Sequence, residues 1–202
     1  MLILTTGLDG AGKTTVNKAL EDRIGEITTK KVVSLPYATE EEKERIEFLS
    51  RDCASFEPVA LFYGGLFRKL QEKVVEYLQK GHVVIIDRWE EIYNAHNEQF
   101  GDLSLNKELR EMLRKFIFGG IEPDIIFFLN VPVELAHDRM AQRPNASSFD
   151  KRGMAYHRKI MEHYLATAKE EGWISVDSSG EAEATIEIIF KKVCVYAKQH
   201  GW

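Results

Sequence analysis

The chain has 202 residues, 44% of them hydrophobic and 29% charged, with a formal net charge of -5. That length supports one domain with a substantial core and leaves too little for two. The negative balance excludes a nucleic-acid polymer as the main partner and leaves any phosphate site to a local cluster of cations. Only Cys53 and Cys194 are present, which excludes a disulfide scaffold and a thiolate metal centre. No 18-residue apolar run and no basic leader are visible, so no membrane association and a cytoplasmic location are expected.

Leu2-Ile3-Leu4-Thr5-Thr6 predicts a short strand, and it runs straight into Gly7-Leu8-Asp9-Gly10-Ala11-Gly12-Lys13-Thr14-Thr15. Gly7 to Thr14 matches G-x-x-x-x-G-K-[ST], a phosphate-binding loop. Glycines let backbone N–H groups point inward, and the following helix adds the positive end of its dipole. Gly7, Gly10, Ala11, Gly12, Lys13, Thr14 and Thr15 are therefore expected to cradle the phosphates of a nucleotide, which the resemblance given below makes ATP. Lys13 is placed to reach the β- and γ-phosphates, and the Thr14 hydroxyl to hold Mg²⁺.

Val16, Ala19, Leu20 and Ile24 recur at helical spacing, with Gly25 as the expected cap. Residues 31–35 predict a strand ended by Pro36. Thr39 followed by Glu40-Glu41-Glu42 predicts a capped helix start with an acidic first turn. A longer helix is expected from Val59 to Lys80, with Gly64-Gly65 as a weak point and Gly81 as its end. His82 to Asp87 and Asp124 to Leu129 read as strands buried on both faces. Helical stretches are expected around 90–100, 105–118, 133–142, 150–171 and 181–199, and a last strand over 173–177. Five strands alternating with helices predict an α/β fold, a parallel sheet covered on both faces.

Several positions carry chemistry. Asp9 puts a carboxylate inside a phosphate loop, which is unfavourable unless a sugar hydroxyl or an arginine uses it. Asp87-Arg88-Trp89 closes a strand at its carboxyl end, where ligands bind in open α/β sheets. Arg88 is thereby expected at the rim of the phosphate loop, as a planar clamp for a phosphate. Arg139 and Arg143 lie four apart on one helical face leading into a loop at 143–148. The four variable loop positions hold no cation, so further positive charge must come from such a mobile basic segment.

These residues together resemble thymidylate kinases, of the P-loop nucleoside monophosphate kinase group. The resemblance rests on the phosphate loop with internal Asp9, on Asp87-Arg88-Trp89, on Pro123-Asp124 before a strand, on Val131-Pro132 with Ala136, Arg139 and Arg143, and on Tyr164 to Ala168. It implies a P-loop three-layer sandwich with a five-stranded parallel sheet. It also implies transfer of the ATP γ-phosphate to a deoxynucleoside 5′-monophosphate, dTMP first, and a homodimer. By this resemblance Asp9 serves the sugar hydroxyl, Arg88 the acceptor phosphate, Asp87 joins Thr14 at Mg²⁺, Phe62 stacks on the base, and 143–150 is the lid. It brings Pro36 and Tyr37, His96 and Asn97, and Asp150 to the acceptor as candidate substrate contacts, and Arg139 to ATP. Leu66 stands where the family has a base-contacting arginine, with Arg68 as the nearest arginine and a further candidate. Broadened base selectivity is the expected consequence.

Two rival readings are a deoxynucleoside kinase, which needs a carboxylate base for a hydroxyl acceptor, and a GTP-binding switch. Glu57-Pro58-Val59 is the nearest acidic segment for the first but follows no predicted strand. For the second, Asn106-Lys107-Glu108-Leu109 fails N-K-x-D at its last position, and Asp177-Ser178-Ser179-Gly180 matches D-x-x-G near the end of the chain.

Overall fold

The computed structural model describes residues 1–53, 57–92, 107–143, 147 and 149–202, with Lys107 and Arg110 described by backbone alone. The elements run β1 (Leu2–Thr6), α1 (Lys13–Ile27), β2 (Val32–Leu35), α2 (Glu40–Asp52), α3 (Glu57–Gln79), β3 (Val83–Asp87), α4 (Lys107–Phe118), β4 (Ile125–Asn130), α5 (Val133–Ala141), α6 (Met154–Glu170), β5 (Ile174–Asp177) and α7 (Ala182–Gln199). The strands form one parallel sheet in the order β2-β3-β1-β4-β5. β1 therefore lies at the centre, with Leu4 paired to Ile86 of β3 and to Ile126 of β4.

Helices on both faces explain why the central strands are continuously apolar. Leu2, Ile3, Leu4, Val84, Ile85, Ile86, Phe127 and Phe128 are buried in one core that also takes Val16, Leu20 and Ile24 from α1 and Tyr164 from α6. Asp124 fixes the start of β1, its carboxylate accepting the Leu2 amide at 2.6 Å.

Local chemistry sets most boundaries. Thr39 caps α2 through a reciprocal box: its hydroxyl accepts the Glu42 amide, and the Glu42 carboxylate accepts the Thr39 amide. Gly81 ends α3 with φ 76°. Three expectations change. α1 continues through Gly25 to Ile27. α3 runs unbroken through Gly64-Gly65. α6 begins at Met154 rather than at Asp150, because Asp150 is engaged in a turn with Ser147: its carboxylate accepts the Ser147 amide, and its own amide donates to the Ser147 hydroxyl. The helix expected around 90–100 falls largely outside the described residues. Among the described residues, no helix is long and apolar enough to cross a membrane.

Candidate active site

The phosphate loop leaves β1 at its carboxyl end and turns into α1, whose first residue is Lys13. Its bends require glycine. At Gly7 (φ 137°) a Cβ would stand 2.6 Å from the Leu129 carbonyl oxygen, and at Gly10 (φ 83°) 2.5 Å from that of Ala136. The loop is thus wedged against the end of β4 and against α5. Lys13 folds back over it, its ammonium donating to the carbonyls of Gly7 at 3.0 Å and Leu8 at 2.8 Å. Burial, then repulsion from Arg88, lowers Lys13 to about 8.

Opposite stands Arg88, the one non-glycine residue with positive φ (73°) among the described residues. A long side chain in that region costs about 1–3 kcal/mol and persists only where the surroundings enforce it. The Arg88 amide donates to the Thr5 carbonyl at 3.2 Å, the guanidinium pairs with Asp9, and Nε lies 3.9 Å from Asp87 Oδ1. The next amide, of Trp89, donates to both carboxylate oxygens of Glu91 at 3.1 and 3.0 Å. The Trp89 indole is buried against Phe118 and donates to the Ile121 carbonyl. Burial alone would raise the Asp9 carboxyl, but Arg88, Lys13 and Arg143 outweigh it and hold Asp9 well below the ordinary carboxylate range. Burial pushes Glu91 up to about 7.

Asp9, Lys13 and Arg88 border a cleft of about 830 Å³. Asp9, Gly10, Gly12, Lys13, Thr14 and Thr15 line one end with Asp87, Arg88 and Arg143. Tyr37, Tyr63 and Phe67 form an aromatic wall, with the rings of Tyr37 and Tyr63 each stacked on Phe67. Asp150 also lines the cleft and faces Arg143 Nη1 at 3.5 Å. Charge, aromatic surface and a phosphate cradle thus share one concavity, an arrangement suited to a nucleotide.

Other expected residues lie elsewhere. Gly7 and Ala11 shape the loop without lining the cleft. Arg139 spends its donors on backbone: Nη1 on Gly10 and Ser178, Nη2 on Ser179. It braces the phosphate loop against the segment after β5. The D-x-x-G match at Asp177 is that bracing turn, with Asp177 accepting the Ser179 amide. Pro36 is exposed outside the cleft. Phe62 packs on a small satellite core of Ala38, Ile46, Val59, Leu66 and Phe149, and its neighbour Tyr63 lines the cleft instead. Arg68 does not line the cleft. It donates to the Phe116 carbonyl at 2.9 Å and pairs with Glu72 on the outer side of α3, because the helix keeps its regular turn through Gly64-Gly65. His96 and Asn97 lie outside the described residues. Sequence reasoning missed Tyr63 and Phe67 as cleft residues; their spacing, four apart on one helical face, was the available signal.

A divalent cation fits the donor set. Asp87 Oδ1 is a buried oxygen with no hydrogen-bond partner among the described residues, and Thr14 offers a hydroxyl in the same cleft. Among the described residues no cluster of three or more His, Cys, Asp or Glu could hold a metal by itself. Phosphate oxygens and water would have to complete the shell, as is usual for Mg²⁺.

Comparison with known proteins follows the same lines. A family model described as thymidylate kinase matches residues 6–189. A thymidylate kinase of Staphylococcus epidermidis is 26% identical over 200 residues, covering 95% of this chain and 96% of its own. One of Thermosipho melanesiensis is 32% identical over 172 residues, 84% of each chain, and one of Mesoplasma florum is 27% identical over 214 residues, 98% and 99% of the two chains.

Proposed function

The chain belongs to the thymidylate kinase family, and on that premise we propose that it transfers the γ-phosphate of ATP to the 5′-phosphate of dTMP in the cleft between the phosphate loop and Arg88. The observation that carries the assignment is the pairing of buried Arg88 with Asp9 across that cleft. It presents a fixed cation at the rim of the phosphate loop, where an anionic acceptor is recognised and a neutral hydroxyl needs none.

In this reading the backbone from Gly7 to Thr15 cradles the triphosphate and Lys13 neutralises charge developing on the transferred group. Arg88 clamps the acceptor phosphate, and Asp9 holds Arg88 in place while facing the sugar. The base lies along Tyr37, Tyr63 and Phe67, with Phe62 behind them, and Arg143 brings a second cation; of the lid expected over 143–150, residues 144–146 and 148 lie outside the described residues. Asp87 and Thr14 would hold Mg²⁺, which when bound shields the phosphate charges and orients them. An acceptor phosphate oxygen forms the new bond to the γ-phosphorus as the bond to the β–γ bridging oxygen breaks, and ADP leaves with that electron pair. The acceptor oxygen is already anionic, so alignment and neutralisation suffice and no base is needed. We further propose one kinase domain and a homodimer, the latter supported by the exposed Met112 and Phe116 on α4.

One coupled assay tests the reading: ATP and Mg²⁺ against every nucleoside and every nucleoside monophosphate. dTMP is expected to turn over far faster than thymidine. Thymidine outpacing dTMP would overturn the assignment in favour of a nucleoside kinase. Sedimentation velocity tests the dimer, and a single monomeric species would refute it.

A further inference from the structure

Glu91 is a buried carboxyl with no place in the mechanism above. It lies four residues past the strand end, it is 6% exposed, both its oxygens reach back to the Trp89 amide, and the Thr6 hydroxyl at the end of β1 lies beside the same carboxylate. That amide is the first donor after Arg88. Arg88 N–H still joins β1 at Thr5, whereas the Trp89 N–H faces the other edge of β3, beyond the last pair with β2 at Leu35 and Ile86, and finds no strand partner among the described residues. Buried and unpaired, this donor would favour any rearrangement that hydrated it. Glu91 satisfies it without leaving the turn.

The other restraints on this turn act elsewhere. Trp89 is held through its ring, by Phe118 and the Ile121 carbonyl. Arg88 is held through its guanidinium, by Asp9 and Asp87. Only Glu91, among the described residues, bonds the backbone immediately after Arg88, the torsion that sets where the guanidinium can reach. We propose that Glu91 is a positioning residue for acceptor transfer, which fixes the left-handed turn at Arg88 and thereby aims its guanidinium at the acceptor phosphate. This rests on the thymidylate kinase reading and adds to it a residue that touches no substrate.

The chemistry of the replacement distinguishes positioning from mere packing. Glu91→Gln keeps an acceptor oxygen at the same reach. Glu91→Asp keeps the charge but is one methylene too short, and Glu91→Ala removes the acceptor. For the Asp and Ala variants kcat/KM for dTMP is expected to fall roughly ten- to a hundredfold with KM for ATP within about twofold of wild type, whereas Gln recovers most of the loss. Amide hydrogen exchange at Trp89 reads the same turn without turnover: protection is lost in the Asp variant and kept in the Gln variant. If Ala does not fold, Asp against Gln decides.

Asp and Gln variants that match wild type in dTMP kinetics would overturn the inference. So would equal damage to the ATP and dTMP constants, which marks a general loosening. If wild-type protein fails to phosphorylate dTMP, the functional reading falls, and Trp89 exchange still judges the turn: unchanged protection in Glu91→Asp would refute it.

Discussion

Lys13 is an ammonium held almost out of water, 5% exposed, beside another cation. Its removal in Lys13→Ala is expected to lower kcat by roughly 10²–10³, or about 3–4 kcal/mol of transition-state stabilisation, with the fold retained. Steady-state kinetics beside a melting curve checks this, and a variant within a few-fold of wild type refutes the role. The lowered pKa of about 8 also fixes a sign. Between 8 and the ordinary 10.5 the folded protein has released a proton that the unfolded chain keeps, so this group's contribution to stability rises with pH across that window. Below it both states are charged, and the folded state carries the full cost of burial. A bound triphosphate reverses the preference and favours the ammonium. ATP binding just above pH 8 is therefore expected to take up a proton, read by calorimetry in two buffers of different ionisation enthalpy. Uptake that is absent, or undiminished in Lys13→Ala, would contradict the assignment.

At the level of elements, the two glycine patterns behave oppositely. Gly10 is pressed against the Ala136 carbonyl, so Gly10→Ala is expected to destabilise by about 1–3 kcal/mol and to abolish ATP binding. Gly65 is exposed in mid-helix, and a methyl added there would meet no heavy atom within 4 Å, so Gly65→Ala is expected to stabilise by about 0.5–1 kcal/mol. Thermal melts of both check the pair. The same contrast explains what local pattern could reveal. The phosphate loop, the Thr39 cap and the apolar runs of β3 and β4 are written in short windows, and each lies where expected. The ends at Gly25 and Asp150 are not, because a glycine on an outer face does not stop a helix, and an Asp that could start one is held by Ser147. Which of Phe62 and Tyr63 meets the cleft depends on how α3 rolls against β3, Tyr37 and Phe149, and no local pattern encodes that roll. For Arg143, hydrogen exchange at the Ser147 and Asp150 amides with and without a bisubstrate analogue reads the lid; unchanged protection would exclude closure there.

Across the whole molecule, acceptor choice joins two distant parts of the chain, Asp9 from the first loop and Arg88 from the end of β3. Arg88→Ala is expected to raise KM for dTMP and lower kcat together, since clamp and alignment go at once. Unchanged dTMP kinetics would refute the clamp. The base end has a different character. Leu66 is buried with Ile46, Val59 and Phe149, so no cation reads the base from that position. Discrimination between dTMP and dUMP is accordingly expected to be modest, of the order of one methyl contact, roughly 10- to 200-fold in kcat/KM. Competition assays with the two acceptors check it. The sequence showed that the arginine was replaced, but the apolar cluster that fills its place is assembled from α2, α3 and the turn before α6, which only the fold brings together.

The central position of β1 has a consequence for biosynthesis. This strand is made well before its neighbours β3 and β4, which begin at Val83 and Ile125. During translation it waits with both hydrogen-bonding edges open, then with one, and its first amide finds Asp124 only later. A nascent chain truncated between Gly81 and Gly120 carries the complete phosphate loop but neither the Leu129 nor the Ala136 carbonyl against which that loop is shaped. The nucleotide therefore cannot help to fold the early half of the chain, and the apolar strand Leu2–Thr6 stays a substrate for chaperones or for aggregation until β4 has left the ribosome.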